Sequence, residues 1–312
     1  MNQSYDAMRQ MLETKGYTVL KGLLTVDEVQ GYVDKLEAMS GFRRADYPRT
    51  ANKKGLSKRG LSTSWYQPDG VTKTPDFWPL IFNEQLLATV RAIVDPDVRY
   101  LQHSDLHVGF SAISWHRDSI NRQYGVGPDW DEIDAPYKLV RVGIYLQTFA
   151  ESHFRLGFIP GSHRFNGVVT GGQKFTEAKL KWLGALSYMF TSVQMWAANA
   201  EWIATEPGDC IIFDPRTIHS GSAIIGPKYS LFLAYGVENQ HFYNHQNYYR
   251  RVRPELGYKE MPSPLVTQLR VNGLYQNQSP VYHEIDGAWK PMPIMKNIVA
   301  RRVQEGGDVL EE

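Results

Sequence analysis

Two tripeptides in this chain pair a histidine with an aspartate two residues on: His103-Ser104-Asp105 and His116-Arg117-Asp118. On an extended segment, residues i and i+2 project to the same side. Each tripeptide therefore offers one imidazole and one carboxylate to a common point. A second imidazole from a distant strand completes a face of two histidines and one carboxylate. That donor set suits non-haem iron(II), with the opposite face left open for a cosubstrate and oxygen. Either match taken alone is as readily an exposed or hydrogen-bonded polar pair. Context separates them. His116 lies in SAISWHRDS, after an aromatic residue and before an irregular, acidic stretch over 119–137. That places it at a strand end, facing a loop able to act as a lid. His103 reads as part of a continuous strand, with His107 beyond it as a polar residue of a pocket wall. The downstream candidate is His219 in EPGDCIIFDPRTIHSGS, where a Pro207-Gly208-Asp209 turn leads into a short buried strand. His153 and His163 are alternatives in or beside the turn-like region ending Pro160-Gly161-Ser162-His163, where a histidine more often supports a loop.

These groups need elements to hold them. Tyr5, Met8, Met11 and Leu12 recur at helical spacing, and Lys15-Gly16 ends that helix. Tyr17 to Leu20 is a short β-type run, and Thr25 with Glu28 forms a capping box that opens a second helix. Val29, Tyr32, Val33 and Leu36 share one face of it. From residue 97 onward the pattern turns β-rich. Runs at 98–103, 106–110, 140–146, 157–159, 210–213 and 230–235 are short and separated by Gly, Pro, Asn or Asp. Such spacing belongs to sandwiches and barrels. No regular alternation of strand and helix occurs, which argues against a doubly wound parallel sheet. Residues 175–190 read as a helix, with Trp182, Leu186, Met189 and Phe190 on one face. The aromatic stretch from Phe175 to Trp202 either lines an apolar pocket or packs beneath that helix. The fold class is mainly β with peripheral helices. It reads as one domain over 1–312: N-terminal helices to residue 40, a basic loop at 41–60, a β core at 97–237 with a helical insert at 170–200, and an extension at 238–312.

Composition removes several function classes. With 34 Lys and Arg against 33 Asp and Glu, the net charge of +1 lacks the footprint of a nucleic-acid binder. The one cysteine, Cys210, excludes an intramolecular disulfide and any Cys-rich zinc module. The start shows no basic region followed by an apolar stretch, and no run approaches the roughly 18 apolar residues of a membrane span. The expectation is a cytoplasmic protein. Near-neutrality hides one local excess, where Arg43, Arg44, Arg49, Lys53, Lys54, Lys58 and Arg59 face only Asp46. That segment is a solvated loop or a flap that attracts an anion.

Four blocks resemble the phytanoyl-CoA dioxygenase family of iron(II)- and 2-oxoglutarate-dependent oxygenases. KGYTVLKGLLTVDEVQGYVDKLEAM is similar to its helix–strand–helix opening, and LQHSDLHVGFSAISWHRDS to its iron-binding strand. VRVGIYLQTF with LGFIPGSHR resembles its central strand and PGSH turn, and EPGDCIIFDPRTIHSGS with GPKYSLFLAYG its distal-histidine and final strands. The resemblance implies a double-stranded β-helix, a cupin-like jelly-roll barrel. It implies iron(II) on His116, Asp118 and His219, with His163 in a structural turn. It implies 2-oxoglutarate and dioxygen as cosubstrates, ascorbate as an activator in vitro, and release of succinate and carbon dioxide as a C–H bond of a small molecule is oxidised, most simply by hydroxylation. Retention of Asp118 argues against the related halogenases, which have a small residue there. The family usually grips the far carboxylate of 2-oxoglutarate with an arginine about ten positions after the distal histidine; here the matching residue is Lys228. A lysine neutralises a carboxylate as a point charge but lacks the bidentate fork. Arg141 on a neighbouring strand is the other candidate for that role, and Gln102, Ser230 and Tyr145 are further candidate contacts. The substrate, anionic or partly apolar, and the oligomeric state are not legible. Two other readings stay open: a non-catalytic jelly-roll binding protein that keeps the triad, and an iron(II) oxygenase that does not use 2-oxoglutarate.

Overall fold

Local signals at the start of the chain fold as their chemistry dictates. In this computed structural model, residues 4–44, 65–109, 111, 115–121, 125–164, 200–222, 224, 226–253, 256–279, 285 and 288 are described. The basic stretch beyond Arg44 and the helical insert expected at 170–200 lie outside the described residues, Ala200 excepted. Helix α1 (Tyr5–Lys15) starts where the Ser4 side chain accepts the Ala7 N–H and ends at Gly16 in the left-handed region, φ +85°. Strand β1 (Tyr17–Leu20) follows. Helix α2 (Val26–Ser40) carries the expected capping box, with Thr25 and Glu28 each accepting the other's backbone N–H. Strand β2 (Trp65–Pro68) precedes several short turns and helix α3 (Glu84–Ile93), which the sequence reading did not anticipate. Its signals are local: Asn83 caps the Leu86 N–H, and Leu86, Leu87, Val90 and Ile93 form one buried face. Arg9 of α1 donates to the Ala92 carbonyl and ties the two helices together.

The strands β3 (Val98–Tyr100), β4 (Asp105–Val108), β5 (Leu139–Tyr145), β8 (Cys210–Phe213) and β10 (Tyr229–Val237) join β1 and β2 in one sheet. Its order is β1-β8-β5-β10-β4-β2, with β3 on the upper half of β10. A smaller sheet has the order β7-β6-β9, from Glu201–Ala204, Arg155–Phe158 and His219–Gly221. All these pairings are antiparallel. Helices α4 (Gln240–Asn247) and α5 (Ser263–Val271) follow β10. No helix among the described residues is long and apolar enough to cross a membrane.

Strand alternation divides the large sheet into two buried faces. Val142, Ile144, Leu231 and Leu233 pack with α1, α2 and α3 in the main core. Each such side chain contributes about 1.5–3 kcal/mol when fully buried. The opposite face meets the small sheet, where Tyr17, Tyr145, Phe154, Leu156, Phe158, Ile211 and Phe213 form a second core. Tyr17 stacks on Phe158 with ring centroids 4.4 Å apart. Two facing antiparallel sheets with peripheral helices make a jelly roll. Among the described residues its sheets do not join into a closed barrel.

The continuous strand expected over 98–103 is interrupted. Leu101 still donates its N–H to the Ala234 carbonyl on β10 at 2.9 Å, and residues 102–104 then leave the ladder, where their polar side chains find partners elsewhere. Gln102 donates to Asp69 at 2.7 Å, and Ser104 lies 3.0 Å from the Thr72 hydroxyl. His103 therefore occupies a break between β3 and β4. At the far side of the molecule, the Gly16 carbonyl accepts from the Asp214 N–H at 2.9 Å and the Thr217 hydroxyl at 3.0 Å. A Cβ at Gly16 collides with the Thr217 hydroxyl and the His163 ring. Gly16→Ala is expected to destabilise the protein by about 2 kcal/mol or more, since the left-handed conformation alone costs roughly 1–2 kcal/mol. Urea unfolding monitored by circular dichroism measures this.

Candidate metal centre

His116 and His219 face each other in a single antiparallel bridge. The His116 N–H donates to the His219 carbonyl at 3.0 Å, and the His219 N–H returns to the His116 carbonyl at 2.9 Å. Bridged residues project to the same side, so the rings stand 4.3 Å apart between centroids. Asp118, two residues on, turns to the same point. Its Oδ1 is 3.5 Å from His116 Nε2, and its Oδ2 is 3.7 Å from His219 Nε2. One donor atom from each of the three lies within 4.8 Å of the others. His219 is buried, while His116 and Asp118 are partly exposed, so the cluster opens on one side.

The surroundings fix these donors. The Thr217 carbonyl lies 2.9 Å from His219 Nδ1. A carbonyl only accepts, so the proton sits on Nδ1 and the Nε2 lone pair faces the cluster, as a metal ligand requires. The Asp118 N–H donates to the Pro215 carbonyl at 2.8 Å, and Arg117 Nε to the Arg216 carbonyl at 2.9 Å. Arg216 pairs with Asp214 and Glu132 and lies over the Tyr137 ring at 4.0 Å. Asp129 accepts the Ile120 and Asn121 N–H groups, and burial pushes its carboxyl up to about 6. The acidic stretch after Asp118 is thus bolted down. The roles of Arg216 and Asp129 escaped the sequence reading, because each depends on burial that residue types alone do not reveal. His163 lies outside the cluster; its Nε2 is 3.1 Å from the Glu13 carbonyl, and burial lowers its pKa. His153 is an exposed residue at φ +54°, stacked on Phe149.

A second polar group lies on the face of the large sheet that meets the small sheet. The Lys228 Nζ donates to the Ser230 hydroxyl at 2.8 Å and lies 4.6 Å over the Phe154 ring. Lys228 is 2% exposed, and burial pushes its pKa down to about 7. Ser230 stands opposite Tyr145 on β5 and His107 on β4. The buried Tyr145 hydroxyl has no hydrogen-bond partner among the described residues. A Cβ at Gly143 stands 3.2 Å from that hydroxyl and 3.0 Å from the Phe232 ring, so glycine keeps the space open. Lys228, Ser230 and Tyr145 are therefore brought together. Arg141, two pleats along β5, points elsewhere: Nη1 donates to the His103 carbonyl at 2.7 Å and Nη2 to Asp105 Oδ2 at 3.1 Å. Gln102 is held by Asp69, the Lys259 carbonyl and Arg250.

The profile of the phytanoyl-CoA dioxygenase family matches residues 12–229. The chain belongs to the phytanoyl-CoA dioxygenase family. No curated protein sequence matches it. Among solved structures, iron-bound HygX from Streptomyces hygroscopicus is 16% identical, with 76% of this chain and 88% of that chain covered at a TM-score of 0.50. SnoK, an α-ketoglutarate-dependent carbocyclase of nogalamycin biosynthesis, is 12% identical, with 76% and 87% covered at 0.50. SnoN, an epimerase of the same pathway, is 14% identical, with 75% and 82% covered at 0.47. At these identities the likeness is one of fold. In this family member, His116→Ala or His219→Ala is expected to weaken cobalt(II) binding by more than about a hundredfold, beyond the roughly 10–100-fold of outer-shell changes. His163→Ala should leave that affinity intact and lower the melting temperature. Calorimetric titration and thermal unfolding check the pair of outcomes.

Proposed function

We propose that this protein oxidises a C–H bond of a small molecule using iron(II), 2-oxoglutarate and dioxygen, with hydroxylation as the simplest product. The observation that carries the reading is the convergence of His116, Asp118 and His219 on one point at the end of a face that also buries Lys228. Two imidazoles and one carboxylate fit iron(II) and leave its remaining positions open. Bound there, iron(II) would activate dioxygen, the oxidant, with 2-oxoglutarate as the co-reductant that is converted to succinate and carbon dioxide. The iron-bound structure of HygX accords with this use of the fold.

The chain's own residues do the positioning. Thr217 fixes the His219 tautomer, and Pro215 anchors the Asp118 backbone. In this reading Lys228 neutralises the far carboxylate of 2-oxoglutarate, and the Ser230 and Tyr145 hydroxyls donate to it. Arg141 is committed to Asp105 and the His103 carbonyl, which favours Lys228 over Arg141 for this role. Gln102 is engaged with partners of its own and takes no part.

Purified protein given iron(II), ascorbate, oxygen and 2-oxoglutarate is expected to release succinate, and Asp118→Ala to abolish that release. No succinate and no 2-oxoglutarate binding contradicts the proposal. Metal binding without any response to 2-oxoglutarate instead marks an oxygenase of another kind or a binding protein. Lys228 also makes a pH prediction. Its cationic form prevails below pH 7 and is lost as pH rises through about 7. Affinity for 2-oxoglutarate should therefore fall above pH 7, approaching about tenfold per pH unit. Histidine ligands bind metal better at higher pH, so the metal's own dependence has the opposite sign. Lys228→Arg should flatten the fall, because arginine stays charged. Equilibrium binding between pH 6 and 9 reads both.

A further inference from the structure

The tripeptide His103-Ser104-Asp105 is not part of the donor cluster, yet it is built with as much care. Asp105 is buried, and its Oδ1 accepts from three separate segments. Tyr258 donates at 3.2 Å, Tyr66 at 3.3 Å and the Asp69 N–H at 3.4 Å. That leaves Oδ2 facing Arg141 Nη2 at 3.1 Å. The guanidinium is held a second time, by Nη1 on the His103 carbonyl at 2.7 Å. It is a rigid planar fork, so fixing two nitrogens fixes the direction of the third. That third nitrogen, Nε, lies 3.7 Å from Asp118 Oδ2 and makes no hydrogen bond among the described residues. Burial opposes the charge on Arg141, but Asp105 and then Asp118 more than offset this and keep it cationic.

We propose that Asp105 and Arg141 form a clamp for Asp118, in which Arg141 holds one carboxylate oxygen in place and Asp105 cancels the charge that Arg141 would otherwise set against a divalent metal. The inference rests on the reading that His116, Asp118 and His219 hold such a metal. Both clamp residues act through Asp118, so they are positioning residues. An unopposed guanidinium beside Asp118 competes with the metal for the carboxylate and repels the ion. With Asp105 present the clamp is close to neutral, and its remaining effect is geometric. The carboxylate swings less, and the oxygen away from Arg141 is the one presented to the metal.

A double-mutant cycle on the full-length protein tests this, with cobalt(II) as the probe. Asp105→Asn removes the balancing charge and is expected to weaken cobalt(II) binding by about tenfold or more, the range of outer-shell changes. Asp105→Asn with Arg141→Met removes both charges, a swap that buried ion pairs often tolerate. The double variant should bind cobalt(II) within about threefold of the parent, the reversal that coupled sites show in such a cycle. Its visible cobalt(II) spectrum should differ from the parent's, because Asp118 is no longer held. A merely structural role for Asp105 predicts a double variant at least as weak as Asp105→Asn. That result, or a spectrum superimposable on the parent's, overturns the proposal. If circular dichroism shows Asp105→Asn unfolded, the double variant decides alone, by the same affinity and spectral criteria. A parent that binds no cobalt(II) removes the metal reading and the clamp together; a parent that binds, with a flat cycle, removes only the clamp.

Discussion

Two backbone hydrogen bonds between His116 and His219 bring together segments that are far apart in sequence. A bridge of one residue pair is a weak element, and it holds only because both of its flanks are tied. On one side, the Ser162 hydroxyl accepts the Ile218 N–H at 2.7 Å, and the Ile159 N–H donates to the Ile218 carbonyl at 2.9 Å. On the other, Pro215 and Arg216 take the backbone of Asp118 and the side chain of Arg117. The Gly16 cap of α1 closes the stack through Asp214 and Thr217. Packing of the first helix thus reaches the imidazole of His219 through a few hydrogen bonds.

Arg141 and Lys228 are both buried but sit in different electrostatic surroundings. Arg141 lies between Asp105 and Asp118 and stays charged. Lys228 meets a hydroxyl and two aromatic rings, and its ammonium loses much of its preference for the charged form. Burying a charge is costly unless it is paired. Arg141 already has the carboxylates of Asp105 and Asp118 beside it, so an incoming dianion gains less there. Under the proposed function this separates the capture of cosubstrate from the orientation of the metal ligand.

Much of this arrangement is legible in the amino-acid sequence wherever the cause is local. Ser4, Gly16, Thr25 and Glu28 mark helix ends by their own side chains and backbone freedom, and the first helix–strand–helix follows from them. The His116–Asp118 spacing is visible, and resemblance to a family joins it to His219. The break at 102–104 is not visible, since Gln102, His103 and Ser104 contain no Gly, Pro, Asn or Asp and leave the ladder for Asp69, Thr72 and His245. The roles of Asp105, Tyr66 and Tyr258 are hidden for the same reason. Helix α3 is the opposite case: its Asn83 cap and apolar spacing are local signals, legible in the sequence. Tyr17, Tyr145, Phe154, Phe158 and Phe213 fill the space between sheets. Trp202 packs edge-on against Trp115, next to His116, with ring centroids 5.5 Å apart.

Under the proposed function, the jelly roll holds a divalent metal at His116, Asp118 and His219 and a 2-oxo acid against Lys228. A crystal structure of the protein grown without oxygen, with iron(II) and 2-oxoglutarate, tests it most directly. Metal density is expected bonded to Nε2 of both histidines and to one oxygen of Asp118, with the far carboxylate of 2-oxoglutarate on Lys228 and Ser230. Metal bound elsewhere, or a carboxylate paired with Arg141 in place of Asp105, contradicts it.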